Sequence, residues 1–310
     1  MSITPDRSIL AACARHAHQR PEAPCFRRPK TATRDAGSVT TFGEIYQRAL
    51  QFVGFLGDAA YDPGARVVLL HHNSWQWLPL LAACAARGLT LVPLNPDLHR
   101  DELAQTLRHA DPRLILGDLP DEKLPAYSRA AHILTLSSLV GALPRGEEGH
   151  EPSADPNVPA LIIYTSGTTG DSKAVMLPER SVLFAAASIS RFYKFRSTDC
   201  LYSVLPYHHM NAVMASGLIP FAAGAQVLIG DAIGFTNAKV YWQSVADEGA
   251  TIVSVIPSIM ATLLRLDPGG TKADTERLRF ALCGAAPLPA TLWREFEDVF
   301  RVPVYQGYGL

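Results

Sequence analysis

Residues 66–94 read RVVLLHHNSWQWLPLLAACAARGLTLVPL, and the change of period inside them decides the fold class. RVVLL (66–70) is a short run of β-branched residues and leucines, the pattern of a covered strand. SWQWLPLLAACAAR (74–87) predicts a helix with Ser74 at its N-cap, and Gly88 marks its end. LTLVPL (89–94) is the next strand. Strand, helix and strand in so short a stretch make a βαβ unit.

Outward from this unit the alternation continues. HRDELAQTLRHA (99–110) predicts a helix, with Asp97, Asp101 and Glu102 as acids near its start, and RLILGD (113–118) predicts a strand. GALPRGEEGHEPSADPNVP (141–159) has no periodicity and is rich in Pro, Gly and acids, so it reads as a surface linker. The expected division is a first subdomain at 1–155 and a second at 156–310. In the second, ALIIY, AVML, CLYSVL, AQVLI, TIVSV, RFALC and VPVYQ are strand candidates, and Pro178 is expected to open a helix. The fold class is α/β, built as layered βαβ subdomains with mixed or parallel sheets.

The chain has 310 residues, 48% hydrophobic and 18% charged, enough for a large core or two smaller ones. With 28 Lys and Arg against 29 Asp and Glu, no basic surface invites nucleic acid. Five cysteines, Cys13, Cys25, Cys84, Cys200 and Cys283, are odd in number and never paired as CxxC. They indicate neither a disulfide framework nor a zinc site, and they fit a reducing cytoplasm. No apolar run reaches the length of a membrane-spanning helix.

Residues 164–173, YTSGTTGDSK, follow the apolar run ALIIY. Gly167 and Gly170 let the backbone turn its N–H groups inward, Thr165, Ser166, Thr168 and Thr169 add hydroxyl donors, and Lys173 adds a charge. That is the composition of a phosphate cradle. The register is not that of a Walker A loop, which needs Gly-Lys-Ser/Thr, whereas Ser172 precedes Lys173 and Ala174 follows it. The bland alternative is an ordinary Gly/Thr turn between two strands.

Residues 164–182, YTSGTTGDSKAVMLPERSV, resemble the signature loop of the adenylate-forming superfamily, which includes acyl-CoA synthetases, peptide-synthetase adenylation domains and luciferases. Ser172 and Ala174 stand where the family usually has proline and glycine around the lysine. The resemblance runs from about residue 40 to Leu310. It implies the fold of the large N-terminal domain of these enzymes, and it makes Thr165, Ser166, Gly167, Thr168, Thr169, Gly170 and Lys173 the polyphosphate site, with Lys173 also catalytic.

The same resemblance places the other residues. In LPYHHMN (205–211), His208 and His209 alone read equally as histidines satisfied at a helix start, and a metal pair is weak because neighbouring residues point apart. By resemblance His209 falls on a catalytic histidine that also lines the acyl pocket, and Asn211 contacts the acyl or aryl portion. The Phe-Asp pair of α-amino acid adenylation domains is replaced here, which favours an acid lacking an α-ammonium. Gly284, Ala285 and Ala286 would border adenine, where small residues at a strand end also suit plain packing. Gln306 and Gly307 match the next motif, Tyr308 would stack on adenine or else be a core tyrosine, and Gly284 and Gly309 would line the acid. HHNSWQW (71–77) is read as a capped helix start with packed tryptophans, not as a metal site or an aromatic cage.

The expected activity is ATP-dependent activation of a carboxylic acid as acyl-AMP, then transfer to the thiol of coenzyme A. Loading a carrier-protein phosphopantetheine thiol is the near alternative, and a non-catalytic nucleotide-binding remnant or regulatory partner is the distant one. The chain stops where relatives continue with a phosphate-binding threonine, a glutamate that holds Mg²⁺, and a C-terminal lid domain. Activity in this chain is therefore expected to be incomplete, with the lid possible as a separate chain.

Overall fold

The computed structural model describes residues 6–118, 132–143, 158–165, 173–233, 238–266 and 275–308. Along them the strands are β1 (Pro24–Arg27), β2 (Val39–Thr41), β3 (Arg66–Leu70), β4 (Thr90–Leu94), β5 (Leu114–Gly117), β6 (His132–Leu134), β7 (Pro159–Thr165), β8 (Lys173–Pro178), β9 (Cys200–Ser203), β10 (Gln226–Ile229), β11 (Ile252–Val255), β12 (Phe280–Cys283) and β13 (Val304–Gln306). The chain divides into two compact units. The first takes Met1–Ala23, Thr41–Ala187 and Tyr207–Met210, and the second takes Pro24–Thr40, Ser188–Pro206 and Asn211–Leu310.

In the first unit the strand order is β6-β5-β3-β4-β7-β8. The paired strands are parallel except for β8, which runs antiparallel to β7. β3 and β4 show no polar alternation because both of their faces are covered. Val68, Leu70, Val92 and Leu94 form one buried cluster with Leu103 and Leu107 of the helix Arg100–Ala110. Truncating such a leucine to alanine costs about 2–5 kcal/mol.

The helix between β3 and β4 runs Trp77–Ala86, and every one of its residues is buried. It starts later than the sequence suggests. Ser74 Oγ accepts a hydrogen bond from the Gln76 N–H at 3.3 Å, so its hydroxyl closes a local turn. Gln76 stands at the N-cap without a side-chain bond. Gly88 does end the segment, at φ +69°, where a side chain would be strained. Pro178 closes β8 opposite Pro159 instead of opening a helix, and the helix begins at Glu179. A missing N–H is tolerated at the end of an edge strand as well as at a helix start.

In the second unit the order is β13-β12-β11-β9-β10-β1-β2, with parallel pairing from β13 to β1. After β9 the chain winds through Met210–Val213, a π-helical turn Met214–Leu218 and the helix Ile219–Ala223. Pro220 explains the wide turn, since it has no N–H to give to the carbonyl four residues back and its ring crowds that carbonyl. Ser216 on the π turn shares a 2.7 Å hydrogen bond with Ser203 of β9.

The expected boundary near residue 155 lies outside the described residues. The two units are interleaved. Phe26 of β1 pairs with Val227 of β10 in the second sheet, while Leu161 of β7 pairs with Leu91 of β4 in the first. Such long-range ladders leave no compositional mark at a single point in the chain.

Candidate active site

β7 and β8 form a hairpin in the first unit whose open end carries Thr165 and Lys173. The two residues face each other across the ladder, and Thr165 Oγ1 donates to the Lys173 carbonyl at 3.4 Å. Ser166, Gly167, Thr168, Thr169 and Gly170 lie outside the described residues. Tyr164, one residue before the hairpin opens, shares a 2.7 Å hydrogen bond with His109 Nδ1 and packs against the apolar cluster. This fixes the strand end from which the loop departs. Lys173 is exposed, so its ammonium stays solvated without a desolvation cost.

Also in the first unit, two stretches of sequence read separately come together around one cleft. Asn73 Oδ1 accepts from the Tyr207 N–H at 3.0 Å, and the Tyr207 ring stacks on Trp77 with centroids 4.8 Å apart at 26°. The cleft is small, about 10 Å³, room for no more than a water molecule, and is lined by His71, His72, Gln76, Trp77, Tyr207 and His208, among others. Among the described residues, the buried Trp77 Nε1 and Gln76 Oε1 have no hydrogen-bond partner. One is a donor and the other an acceptor.

His208 and His209 lie with ring centroids 4.4 Å apart. Burial, aided by His209 and His72 and opposed by Asp97, pushes His208 down to about 4. Burial also lowers His209. Both imidazoles are therefore neutral at pH 7 and hold or accept hydrogen bonds without adding charge. Sequence reading singled out His209, yet His208 is the one that lines the cleft. Gln76 and Trp77 line it too. The clue available was the pairing of two His-His segments, and nothing in the sequence showed that they meet.

In the second unit the candidate residues gather at the C-terminal ends of parallel strands, the usual place for a ligand crevice in α/β sheets. Gly284 N–H donates to the Val255 carbonyl at 3.3 Å, and Gly307 N–H to the Cys283 carbonyl at 2.7 Å. Ala285 has φ +68°, a left-handed conformation uncommon for a residue with a Cβ. It turns the chain out of β12 so that Ala285 and Ala286 are exposed. Tyr308 is 91% exposed in this chain, and Gln306 and Gly307 are exposed beside it. Gly309 lies outside the described residues.

Asn211 meets this strand end directly. A Cβ on Gly284 would lie 2.9 Å from Asn211 Oδ1, closer than real contacts allow, so glycine is required for the amide to sit there. The Asn211 Nδ2 is buried and has no hydrogen-bond partner among the described residues.

The model of the AMP-binding enzyme family matches residues 13–310. Sulfoacetate–CoA ligase of Cupriavidus necator is 29% identical over 314 aligned residues, covering 98% of this chain and 59% of that protein. Oxalate–CoA ligase of Arabidopsis thaliana is 25% identical, covering 82% of this chain and 52% of that protein. Apo MatB from Rhodopseudomonas palustris superposes with a TM-score of 0.82 at 21% identity, over 98% of this chain and 60% of that one. A fatty acyl CoA synthetase from Mycobacterium tuberculosis gives a TM-score of 0.83 at 21% identity, over 98% and 59%. The chain thus spans between half and two thirds of the length of these proteins. The likeness supports the α/β class with mixed or parallel sheets expected from the sequence, which in this chain is two mainly parallel sheets. With a family match that takes in the hairpin, the His-His segment and the strand ends at Gly284 and Gly307, the chain belongs to the AMP-binding enzymes.

Proposed function

We propose that this chain carries the nucleotide and acid sites of an ATP-dependent ligase that activates a carboxylic acid and passes it to a thiol. The observation that supports this best is the hairpin bearing Thr165 and Lys173, tied down at Tyr164 and carrying the hydroxyl- and glycine-rich segment 166–172 at its end. Lys173 and the hydroxyl and N–H groups of residues 165–170 receive the phosphates in this reading. Gly284, Ala285, Ala286, Gln306, Gly307 and Tyr308 receive the adenine, and His209, Asn211, Gly284 and Gly309 the acid.

The chemistry follows from charge. A carboxylate oxygen attacks the α-phosphorus of ATP, and the bond to the bridging oxygen breaks, so pyrophosphate leaves with the electron pair and acyl-AMP remains. A thiolate then attacks the acyl carbon and AMP departs with its oxygen. Bringing an anion to a polyanion needs positive charge and oriented donors already in place. Lys173 supplies one such charge, whereas the neutral His208 and His209 do not and are left to orient. Mg²⁺ would neutralise phosphate charge when bound. Among the described residues no three His, Cys, Asp or Glu side chains stand together as a metal site.

Two measurements on the 310-residue chain test the reading: calorimetric binding of ATP, and exchange of labelled pyrophosphate into ATP with a panel of carboxylic acids. Exchange that vanishes in Lys173→Ala supports the ligase. ATP binding without exchange for any acid favours a nucleotide-binding remnant, and no ATP binding at all sinks both.

A further inference from the structure

The geometry points to an acid substrate that carries a second, uncharged oxygen acceptor, a keto, hydroxy or alkoxy group, placed to receive the N–H of Asn211. This inference rests on the proposed acid site and names the class of acid it takes.

Three observations in the second unit carry it. First, Asn211 Nδ2 is buried and has no hydrogen-bond partner among the described residues. A bound acceptor would offset the desolvation cost of such a donor. Second, the amide lies beside Gly284, where an added Cβ would come within 2.9 Å of its Oδ1. Third, Gly284 directly follows β12, held by its N–H to Val255 and followed by the left-handed Ala285. The donor therefore lies at the C-terminal edge of a parallel sheet, where a ligand is received.

The donor's charge narrows the class. Burying a second carboxylate or a sulfonate against one neutral amide would leave most of an anion's hydration unreplaced. A carbonyl, hydroxyl or ether oxygen needs only what Asn211 offers. An unsubstituted alkyl acid would cover the amide and leave it unpaired, and sites built to hydrogen-bond a substrate oxygen reject the analogue that lacks it for this reason.

Calorimetry on the 310-residue chain with matched acids tests this: butyrate, 3-hydroxybutyrate, 3-oxobutyrate and succinate, then benzoate and 2-hydroxybenzoate. At least one neutral oxygenated acid should bind about tenfold or more tighter than its unsubstituted partner and than succinate. Asn211→Leu, similar in volume but without a donor, should erase that preference. An unchanged melting temperature of Asn211→Leu separates lost recognition from lost folding. Preference for the dianion, equal binding within each pair, or no acid binding at all would overturn the inference. Selective binding without pyrophosphate exchange would leave it standing and count against the ligase reading instead. Exchange with plain acids alone, unchanged in Asn211→Leu, would do the reverse.

Discussion

The Glu179 carboxylate accepts a hydrogen bond from the backbone N–H of Ile9 at 2.6 Å, joining the first turn of one helix to the first residue of another across 170 positions of sequence. Both residues belong to the first unit. Glu179 is buried, and burial pushes its pKa above the ordinary 4.5, with the Ile9 bond pulling the other way.

The sign of the pH effect follows. A carboxyl group whose folded pKa is raised adds stability that is fully present below its unfolded value and is lost as pH rises through the folded value. Urea unfolding at pH 4 to 8 should show wild type losing stability upward from about pH 4.5 relative to Glu179→Gln, which keeps an acceptor for Ile9 and cannot ionise. Glu179→Ala should lose about 1–3 kcal/mol across the range, because a buried N–H is left unpaired. A glutamine variant less stable than wild type at pH 7 would contradict this.

Asp199 is the buried anion of the second unit, its side chain 2% exposed, and Arg279 meets it at 2.5 Å. The backbone N–H of Arg196 and the Thr251 hydroxyl also donate to it. Replacing Arg279 by Met strands the carboxylate, so denaturant unfolding should report a loss of about 3 kcal/mol or more. Asp199→Asn combined with Arg279→Met should recover part of that loss. Equal stability of Arg279→Met and wild type would show that the anion is satisfied without its cation.

Tyr305 and Tyr308 look alike in sequence and differ in place. Tyr305 stacks on Tyr193 at 5.6 Å and 28°, whereas Tyr308 is 91% exposed. Tyr308→Ala should leave the melting temperature unchanged and weaken ATP binding about fivefold or more, the scale of one lost base-stacking contact. Tyr305→Ala should lower the melting temperature through lost packing, with a smaller effect on ATP affinity. A reversed pattern would remove Tyr308 from the adenine site.

Sequence periodicity was a good guide where a residue's surroundings are set by its near neighbours. RVVLL and the strand ending at Cys283 fall where their apolar runs lie, because strands covered on both faces need apolar residues throughout. The start of the Trp77 helix was misread because Ser74 is an equally good residue for a local turn. The π turn before Pro220 and the cleft shared by Trp77 and His208 were not legible. Both depend on which distant segment packs alongside, information that no local pattern carries.

The pairing of β1 with β10 also bears on how the molecule is made. The Arg28 guanidinium reaches the Ile229 carbonyl at the end of β10, 201 residues later in the chain. At about 5–20 residues per second, a nascent β1 waits roughly 10–40 s before its ladder partner leaves the ribosome. During that time Cys25 and Phe26, both buried in the finished fold, have only the three-residue β2 to pair beside. The opening strand is thus a late arrival in assembly, and chaperone capture during translation would fall there first.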